Sequence, residues 1–345
     1  MRKCCGNCFG DAFLSREIEQ HSKETGRCDF CGGNMVKLID PPALIDYLEK
    51  PLGVYIEGDD FSACCIESLL RKDWALFEKL EPEQAELLLS LVLNDPDIIK
   101  RKYIPVKAGD LSAVQEWEDF REELKHRNRF FPKKFQPTKE LKQLFSFLRA
   151  SPEDIPNKIY RARICEHSEP YTMEQMGKPP ASSSGNGRAN PVGIPCLYVA
   201  SDAATAISEV RPHKGELACV AEFEVSKSIE LADLRNPRKT ISPFEPEDEQ
   251  IELIFKNMGL LCRLGEELTM PILPKSAHLE YLPSQYLCEL IKDCGFNGVI
   301  YASALGPGIN YAIFDDSGVT ATAVHQYRIN TISVGFSACD LLPKN

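Results

Sequence analysis

The spacing of apolar residues changes near residue 150, and this change limits the possible folds more than any other feature of the sequence. From about residue 41 to 150, large apolar residues recur at helical spacing. They fall on three such faces: Ile66, Leu69, Leu70, Trp74, Phe77 and Leu80; Trp117, Phe120 and Leu124; and Leu141, Leu144, Phe145 and Leu148. After Ile155, alternating strand patterns mix with helices and glycine turns. An all-helical segment followed by an α+β domain is therefore predicted.

Within the second half, individual elements can be placed. Residues 219–225 alternate as a strand does, whereas residues 246–262 and 283–294 have helical patterns. Two further strands are predicted at 299–301 and 311–314. A tight Gly306-Pro-Gly loop joins those two strands.

Length and composition indicate a folded protein of more than one domain. The 345 residues exceed what one hydrophobic core usually serves. Hydrophobic residues make up 43% and charged residues 26%, which excludes a mainly disordered chain and a coiled-coil rod. The net charge of −11 opposes non-specific attraction to phosphate backbones and anionic lipids. The sequence therefore predicts no membrane association and no nucleic-acid partner.

The N-terminus does not resemble a targeting segment. Its basic residues are not followed by an apolar run of about 7–15 residues, and no run of about 18 apolar residues occurs in the chain. Nine of the fourteen cysteines are scattered through predicted helices and strands as small apolar residues. These features predict a cytoplasmic protein in a reducing compartment.

Four cysteines near the N-terminus have the spacing of a zinc site. Two residues separate Cys5 from Cys8 and Cys28 from Cys31, and nineteen lie between the pairs. Four thiolates complete a tetrahedral Zn²⁺ sphere and leave no position open for a substrate. The spacing therefore predicts a structural zinc ribbon rather than a redox or catalytic pair, with Cys4 as an alternative to Cys5.

Arginines in two segments form the first candidate binding site. Arg161 and Arg163 lie in one segment, and Arg188 and Asn190 lie in a loop bounded by glycine and proline. A guanidinium makes two charge-assisted bonds to phosphate oxygens, so this cluster in an acidic chain points to an anionic ligand. The alternative is that the arginines are surface residues and the loop is structural.

The second candidate is Glu209, near the end of a short helix predicted after the strand that carries Tyr198. Small residues on one face of this helix allow close packing on the sheet: Ala203, Ala206 and Val210. Glu209 would then lie beside the Tyr198 strand. The alternative for Glu209 is an ion pair with Arg211.

The third candidate is Ser303, at a strand end that leads into the glycine loop. A hydroxyl at such a position can face a ligand. The segment is not a GxSxG elbow and has no recognisable triad histidine, so Ser303 is interpreted as a binding serine rather than an acyl nucleophile. The chain has neither a GxGxxG motif nor a P-loop, which argues against a Rossmann or Walker site.

Together these segments resemble one family, the RES domain, over about residues 156–337. The matching parts are Tyr160-Arg161, the run from Gly187 to Tyr198, Ala206 to Val210 with Glu209, and Gly298 to Phe314. Order, spacing and residue types agree. The sequence departs from the family at Ala189, where an aromatic residue is common, and at Ala302, where proline is usual.

The resemblance implies a mixed β-sheet similar to that of ADP-ribosyltransferases. It also implies an NAD⁺-degrading enzyme that cleaves the nicotinamide–ribose bond with phosphate or water as acceptor, as an NAD⁺ phosphorylase or glycohydrolase. RES proteins are bacterial toxins, so a toxin or defence effector with an antitoxin or regulatory partner is expected. A protein ADP-ribosyltransferase is the alternative enzyme.

The resemblance also assigns roles to single residues. Arg161, Glu209 and Ser303 are expected to be catalytic. Arg161 would also hold the diphosphate, and Arg188 either the diphosphate or an incoming phosphate. Tyr198 would offer its ring to nicotinamide. The remaining expected NAD⁺-binding residues are Asn190 and Asn310.

The predicted domains are a zinc-ribbon-like segment (1–40), a helical domain (41–150) and the RES catalytic domain (151–345). Some relatives carry a HEPN-type helical module before the RES domain, and this helical domain is expected to be one, with a regulatory or partner-binding role. Arg121 and His126 match the R-x4-H pattern of HEPN ribonucleases, but a charged helix often carries that pattern by chance. A non-enzymatic protein that binds a partner or nucleic acid through the zinc ribbon and helical domain is the alternative outside enzymes.

Overall fold

The computed structural model describes residues 2–106, 111–133, 139–166 and 169–333. The helices in that part of the chain are α1 (Ala12–His21), α2 (Ile45–Leu52), α3 (Ile66–Trp74), α4 (Pro82–Val92), α5 (Leu111–His126), α6 (Lys139–Ser146), α7 (Ala203–Glu209), α8 (Pro237–Thr240), α9 (Asp248–Thr269) and α10 (Ala277–Asp293). The strands are β1 (Glu24–Gly26), β2 (Val36–Leu38), β3 (Tyr55–Glu57), β4 (Tyr103–Pro105), β5 (Lys158–Ile164), β6 (Leu197–Ala200), β7 (Leu217–Val225), β8 (Leu231–Asp233), β9 (Gly298–Ala302), β10 (Ile309–Ile313) and β11 (Val319–Arg328).

The chain divides into two compact units. One comprises Met1–Ala150 and Ala232–Phe296, and the other comprises Ser151–Leu231 and Asn297–Asn345. The first unit therefore contains a stretch of about 65 residues from the segment that the sequence assigns to the C-terminal domain. The division into three contiguous domains stays a prediction.

Helices of the first unit bury the faces that their spacing predicts. Trp117 and Phe120 of α5 are buried, and the Phe120 ring lies 4.7 Å from the Tyr286 ring of α10 in an edge-to-face contact. Helix α5 packs against both α9 and α10. A capping box between Glu247 and Gln250 begins α9, which continues well beyond its predicted end at residue 262. Helix α10 begins six residues before its predicted start at Pro283, which lies inside the helix.

The segment 41–150 is not wholly helical, which corrects the sequence-based prediction. Strands β3 and β4 pair antiparallel within it, with Ile56 opposite Ile104. Each strand has three residues, too few to show an alternating pattern. Their pairing also joins distant parts of the segment, so no local pattern in the sequence predicts it.

A seven-stranded sheet forms the basis of the C-terminal part of the fold. The strand order is β11-β7-β5-β6-β10-β9-β8. Neighbours from β11 to β9 pair antiparallel, and the register between β5 and β6 is a single pair, Tyr160 with Ala200. The α+β class and the presence of a sheet in this region are confirmed, whereas the similarity to the sheet of ADP-ribosyltransferases stays a prediction.

Helix α7 packs on one face of this sheet through small residues, as predicted. Ala206 of α7 lies in a buried cluster with Ala162 of β5, Ala200 of β6 and Val220 of β7. The residues flanking Ala206 on the same helix face pack around this cluster: Ala203, Ile207 and Val210. Close packing of α7 fixes where its last residue, Glu209, lies.

No helix in the described ranges is both long and apolar enough to cross a membrane.

Candidate functional site

Neutral donors hold the Glu209 carboxylate at the end of α7. Ser303 Oγ donates to Glu209 Oε1 at 2.7 Å, and Asn310 Nδ2 donates to the same oxygen at 2.6 Å. Among the described residues, no donor bonds to Oε2 and no cation, Arg211 included, forms an ion pair with this carboxylate. Because Glu209 is exposed, Oε2 is open to a ligand.

The strand register explains why Asn310 meets α7. Asn310 lies opposite Ala200 in β6 and opposite Tyr301 in β9. Directly opposed residues of antiparallel strands project from the same face, and Ala200 faces α7. Asn310 therefore points towards α7 and is 5% exposed.

A tight loop between β9 and β10 positions the Ser303 hydroxyl. The Ser303 N–H donates to the carbonyl of Gly308 at 2.9 Å, and the Leu305 N–H donates to Ser303 Oγ at 3.1 Å. A Cβ on Gly308 would lie 2.0 Å from Thr205 Oγ1 in the first turn of α7. Glycine is required there because the loop lies directly against the helix.

Polar residues before α7 also help to place Glu209, although the sequence analysis did not single them out. Asp202 Oδ1 accepts the Thr205 N–H at 2.8 Å and caps the helix. Ser201 Oγ donates to Asp202 at 2.9 Å and accepts the N–H of Ile309, the first residue of β10, at 3.1 Å. The Asp-x-x-Thr spacing of a helix N-cap is the signal that identifies this start.

Tyr198 uses its hydroxyl to anchor the loop before β6. The hydroxyl donates to Asn190 Oδ1 at 2.7 Å and accepts the Ala189 N–H at 2.8 Å. A Cβ on Gly187 would lie 2.3 Å from both Asn190 Oδ1 and the Tyr198 hydroxyl oxygen. The loop therefore closes tightly over this tyrosine.

Asn190 is the centre of the loop's hydrogen bonds. Its side chain is buried, and its Nδ2 group lies within hydrogen-bond distance of the carbonyls of Gly185, Pro191 and Ile194 and of Ser184 Oγ. Such a saturated amide fixes backbone conformation. Arg188, which is half-buried, lies two residues before Asn190 and is carried by the loop that this network holds.

Arg161 lies on the face of β5 opposite to the α7 face. Ala162, its neighbour, packs under α7, and successive residues of a strand project from opposite faces. The Arg161 guanidinium donates to the carbonyl of Gly177, and within the described residues it forms no ion pair with a carboxylate. Burial lowers the pKa of Arg161 to about 10, and the positive charge of Arg163 acts in the same direction.

A cavity of about 500 Å³ borders this second face. Arg161, Arg163 and Lys178 all line it, together with Glu174. Lys178 also donates to the Phe314 carbonyl at 2.6 Å. Asp316 pairs with Lys178 at 3.3 Å. Arg161 and Arg163 are therefore the lining cations that form no ion pair among the described residues, and they make the cavity suitable for an anion.

The structure thus brings some predicted site residues together and leaves one apart. One group contains Glu209, Ser303 and Asn310, and a second contains Tyr198, Asn190 and the loop that carries Arg188. Arg161 belongs to neither group, because the alternation of β5 turns it to the other face. The roles of all these residues towards NAD⁺ stay predictions.

The four predicted zinc ligands form one cluster. The Sγ atoms of Cys5, Cys8, Cys28 and Cys31 all lie within 4.8 Å of one another. Cys8 and Cys28 are 3.3 Å apart, Cys5 and Cys31 are 3.5 Å apart, and Cys5 and Cys8 are 4.0 Å apart. Tetrahedral Zn²⁺ with bonds of about 2.3 Å places its sulfur ligands about 3.8 Å apart. The group can therefore hold a metal ion with little movement.

Cys4 does not belong to this cluster. Its Sγ donates to the carbonyl of Ile39 at 3.7 Å, and burial raises the pKa of Cys4 far above its usual value. Inside the cluster, hydrogen bonds from Cys5 and Cys8 lower the pKa of Cys28. Neighbouring thiols thus stabilise a thiolate at Cys28, the form that binds a metal ion.

Helix α1 lies between the two cysteine pairs, and strands β1 and β2 pair antiparallel around the second one. This segment can hold a metal, but its assignment as a zinc ribbon stays a prediction.

The R-x4-H pair of α5 does not form a common site in the described chain. Arg121 is paired with Glu118 and Glu267, and its side chain is 12% exposed. The His126 side chain is 56% exposed and lies beside Glu122. A separation of five residues places the two side chains on different sides of the helix. The HEPN assignment stays a prediction.

Comparisons with known proteins identify the C-terminal half. Residues 158–332 match the RES domain, a match that takes in just over half of the chain. No protein among the curated sequences matches significantly. The solved structures include one match, a crystal structure of the M. tuberculosis MbcT–MbcA toxin–antitoxin complex, with 12% identity and a TM-score of 0.33 over 56% of this chain and 94% of the other. At that TM-score, we base no argument on the structural similarity.

Proposed function

This chain belongs to the RES domain family, and from that premise we propose that it is an NAD⁺-consuming enzyme that cleaves the nicotinamide–ribose bond. One observation carries the proposal: Ser303 and Asn310 fix Glu209 through Oε1, while Oε2 stays open among the described residues. An ionised carboxylate held in this way by neutral donors keeps its negative charge for a ligand.

The proposed chemistry needs a negative charge beside the ribose. As the C–N bond breaks, its electron pair leaves with nicotinamide, and positive charge develops on the ribose as an oxocarbenium ion. Glu209 Oε2 would accept a hydrogen bond from a ribose hydroxyl and stabilise that charge. Phosphate or water then adds to the same carbon, and an attacking water gives up a proton.

The two groups of residues suggest different roles around NAD⁺. Arg188 is the arginine whose loop is anchored to Tyr198, so it is the better candidate for a phosphate group near the Glu209 site. Arg161 keeps its predicted diphosphate role only for a ligand that also reaches the cavity on the second face. Tyr198 retains its ring face for nicotinamide while its hydroxyl holds the loop.

An assay of nicotinamide release tests the activity. Purified full-length protein is incubated with NAD⁺ with and without phosphate, and products are separated by chromatography. Free nicotinamide that depends on protein is the expected result. ADP-ribose-phosphate indicates phosphorolysis, and ADP-ribose indicates hydrolysis. When the NAD⁺ carries a label on its ADP-ribose part, transfer of that label to protein indicates ADP-ribosyl transfer. No nicotinamide release at stoichiometric protein, in all of these conditions, would favour the non-enzymatic alternative.

A comparison of arginine variants tests the binding roles. Arg188→Lys and Arg161→Lys each keep the charge and lose the two-pronged guanidinium. Loss of a charged hydrogen bond costs about 1–3 kcal/mol, so NAD⁺ binding should weaken about tenfold or more in Arg188→Lys. Calorimetry with NAD⁺ on a Glu209→Gln background measures both variants. Unchanged affinity in Arg188→Lys would contradict its assignment.

We also propose that Cys5, Cys8, Cys28 and Cys31 bind one structural Zn²⁺ per chain. Elemental analysis of protein purified without chelator should give about one zinc atom per chain. Cys28→Ser should lower the thermal unfolding temperature, while Cys4→Ser should keep the metal, because Cys4 lies outside the cluster. Zinc near zero in a protein whose N-terminal segment is folded would contradict this proposal.

In a bacterial toxin, such an activity would need restraint by an antitoxin or regulatory partner. The family membership supports a toxin or defence effector. Expression in bacterial cells is the direct test. The natural chain should be toxic to the cells, and Glu209→Gln should not be.

A further inference from the structure

We propose that Cys165 and Cys219 are an oxidation site that forms a reversible disulfide. Their Sγ atoms lie 3.0 Å apart, closer than two unbonded sulfur atoms normally approach. Neither belongs to the four-cysteine cluster, and neither takes part in the proposed NAD⁺ chemistry. The pair lies within the second unit, at the end of β5 and in β7.

The sheet itself brings the two thiols together. Arg163 of β5 lies opposite Cys219 of β7, and Cys165 follows two residues later on the same side of the strand. The Cys165 N–H continues the ladder by donating to the carbonyl of Leu217 at 2.8 Å. Paired backbones therefore hold the sulfur atoms near each other without help from a flexible loop.

The surroundings give the two thiols different roles. Cys165 is half-buried, and Gln326 Nε2 donates to its Sγ at 3.6 Å. Cys219 is fully buried, and the Tyr171 N–H donates to its Sγ at 3.4 Å. Burial raises the pKa of Cys219, which keeps it a thiol. Cys165 is thus the thiol that meets an oxidant first, and Cys219 is positioned to resolve the product.

A hydroperoxide is the class of oxidant that fits this arrangement. The Cys165 thiolate attacks the O–O bond, becomes a sulfenic acid and releases water or an alcohol. Cys219 sulfur then attacks the sulfenic sulfur, the S–S bond forms, and the sulfenic oxygen leaves as water with the thiol proton. Overall, two thiols lose two electrons and two protons to the peroxide. A small dithiol then reduces the protein disulfide to two thiols by thiol–disulfide exchange and is itself oxidised to a cyclic disulfide.

The bond would close a loop between positions 54 residues apart. That loop contains Arg188, Tyr198 and Glu209, so oxidation would restrain the unfolded form of the segment that carries the candidate site. A cross-link of this span stabilises a fold chiefly by limiting the unfolded chain. Oxidised protein should therefore unfold at a higher temperature than reduced protein.

Peptide mapping of the full-length protein tests the site. Protein treated with hydrogen peroxide at a few equivalents is alkylated, digested without reductant and analysed by mass spectrometry. A peptide pair linked through Cys165 and Cys219 is expected, 2 Da lighter than the two reduced peptides, with loss of the link after dithiothreitol. Mapping separates this pair from oxidation of the four-cysteine cluster.

Three variants complete the experiment. Cys165→Ser and Cys219→Ser should each abolish the link and the rise in unfolding temperature. Cys294→Ser, which removes another half-buried thiol, should leave both intact. Recovery of Cys165 as a sulfinic acid with Cys219 still alkylated, or recovery of both thiols alkylated at peroxide levels that oxidise the four-cysteine cluster, would overturn the proposal. These readouts do not depend on NAD⁺ turnover, so they stand whether or not the proposed enzyme activity is found.

Discussion

Two glutamates show how differently the two units use a carboxylate. Glu267 of α9 is 1% exposed, and its Oε1 lies 2.6 Å from Arg121 Nε and 2.8 Å from Arg263 Nη2. Glu209 is exposed and is held by the neutral donors Ser303 and Asn310. Two arginines pair with Glu267, whereas no cation pairs with Glu209 among the described residues. This contrast is consistent with a structural role for Glu267 and with the ligand-binding role proposed for Glu209.

The partners of Glu267 extend this contrast. Trp117 Nε1 donates to Glu267 Oε1 at 3.1 Å, and Glu118 forms ion pairs with the same two arginines. Burial alone lowers the pKa of Arg121, but Glu267 and Glu118 raise it above its usual value. The network holds two carboxylates and two guanidinium groups, so removal of Glu267 leaves Glu118 alone to balance both arginines.

The largest expected effect comes from Glu267→Gln. Removing one partner of a buried ion pair costs about 3–5 kcal/mol, because the remaining charges stay buried. The free energy of unfolding, measured in urea, should fall by about that amount. Glu266→Gln is the matched control, since the adjacent Glu266 side chain is 64% exposed and should change stability by no more than about 0.5 kcal/mol. Equal effects of the two variants would break the contrast between buried and exposed carboxylates.

The next effect comes from Glu209→Gln, and it should appear in turnover. The amide keeps an acceptor for Ser303 and Asn310 but removes the charge that the proposed transition state needs. Deletion of one electrostatic stabiliser typically lowers kcat about 10²-fold or more. The unfolding temperature should change little because Glu209 is exposed. NAD⁺ affinity should change little because the charge acts mainly in the proposed transition state.

Glu224→Gln is the control for that variant, because Glu224 is an exposed carboxylate on β7 of the same sheet. Its kcat should equal that of the natural chain. Full activity of Glu209→Gln with reduced stability would make Glu209 a structural residue like Glu267.

Features of the sequence that depend on local spacing were predicted well. The helical faces around Trp117 and Phe120, the packing of α7 through Ala206 and the grouping of four cysteines are all confirmed. Each depends on residues close in sequence or on ligand chemistry with a fixed geometry. The pairing of β3 with β4, and the packing of α9 and α10 with α5, join distant segments and have no such signal.

Another prediction concerns the loop that places Ser303. Gly308→Ala would force a Cβ to within 2.0 Å of Thr205 Oγ1, so the loop or α7 must move. Such overpacking costs about 1–3 kcal/mol and would displace the Ser303 hydroxyl from Glu209. Both kcat and the unfolding temperature should fall. In Gly306→Ala the new Cβ meets no atom within 4 Å, so this control should behave as the natural chain does. Equal behaviour of the two variants would show that the loop does not depend on contact with α7.

The candidate site could be predicted only in part from the sequence. Motif order identified Glu209 and Ser303, but their direct hydrogen bond follows from the register of β9 and β10 and from the packing of α7. Arg161 and Arg188 were grouped by residue type, which carries no information about strand faces. The alternation of β5 separates Arg161 from the Glu209 group. Spatial grouping of distant motifs therefore needed the structure.

The smallest expected effect tests whether Tyr198 holds its loop or only offers a ring. Tyr198→Phe keeps the aromatic face and removes the hydroxyl that bonds Asn190 Oδ1 and the Ala189 N–H. Loss of such a bond costs about 1 kcal/mol, since water reaches this half-buried position. Hydrogen exchange of residues 184–194 should accelerate, and NAD⁺ affinity should fall severalfold because Arg188 loses its fixed position, while kcat at saturation changes little. Tyr160→Phe, on the same face of the neighbouring strand, should alter neither measurement. Unchanged exchange in Tyr198→Phe would show that Asn190 alone orders the loop and that the tyrosine hydroxyl is not needed to hold it.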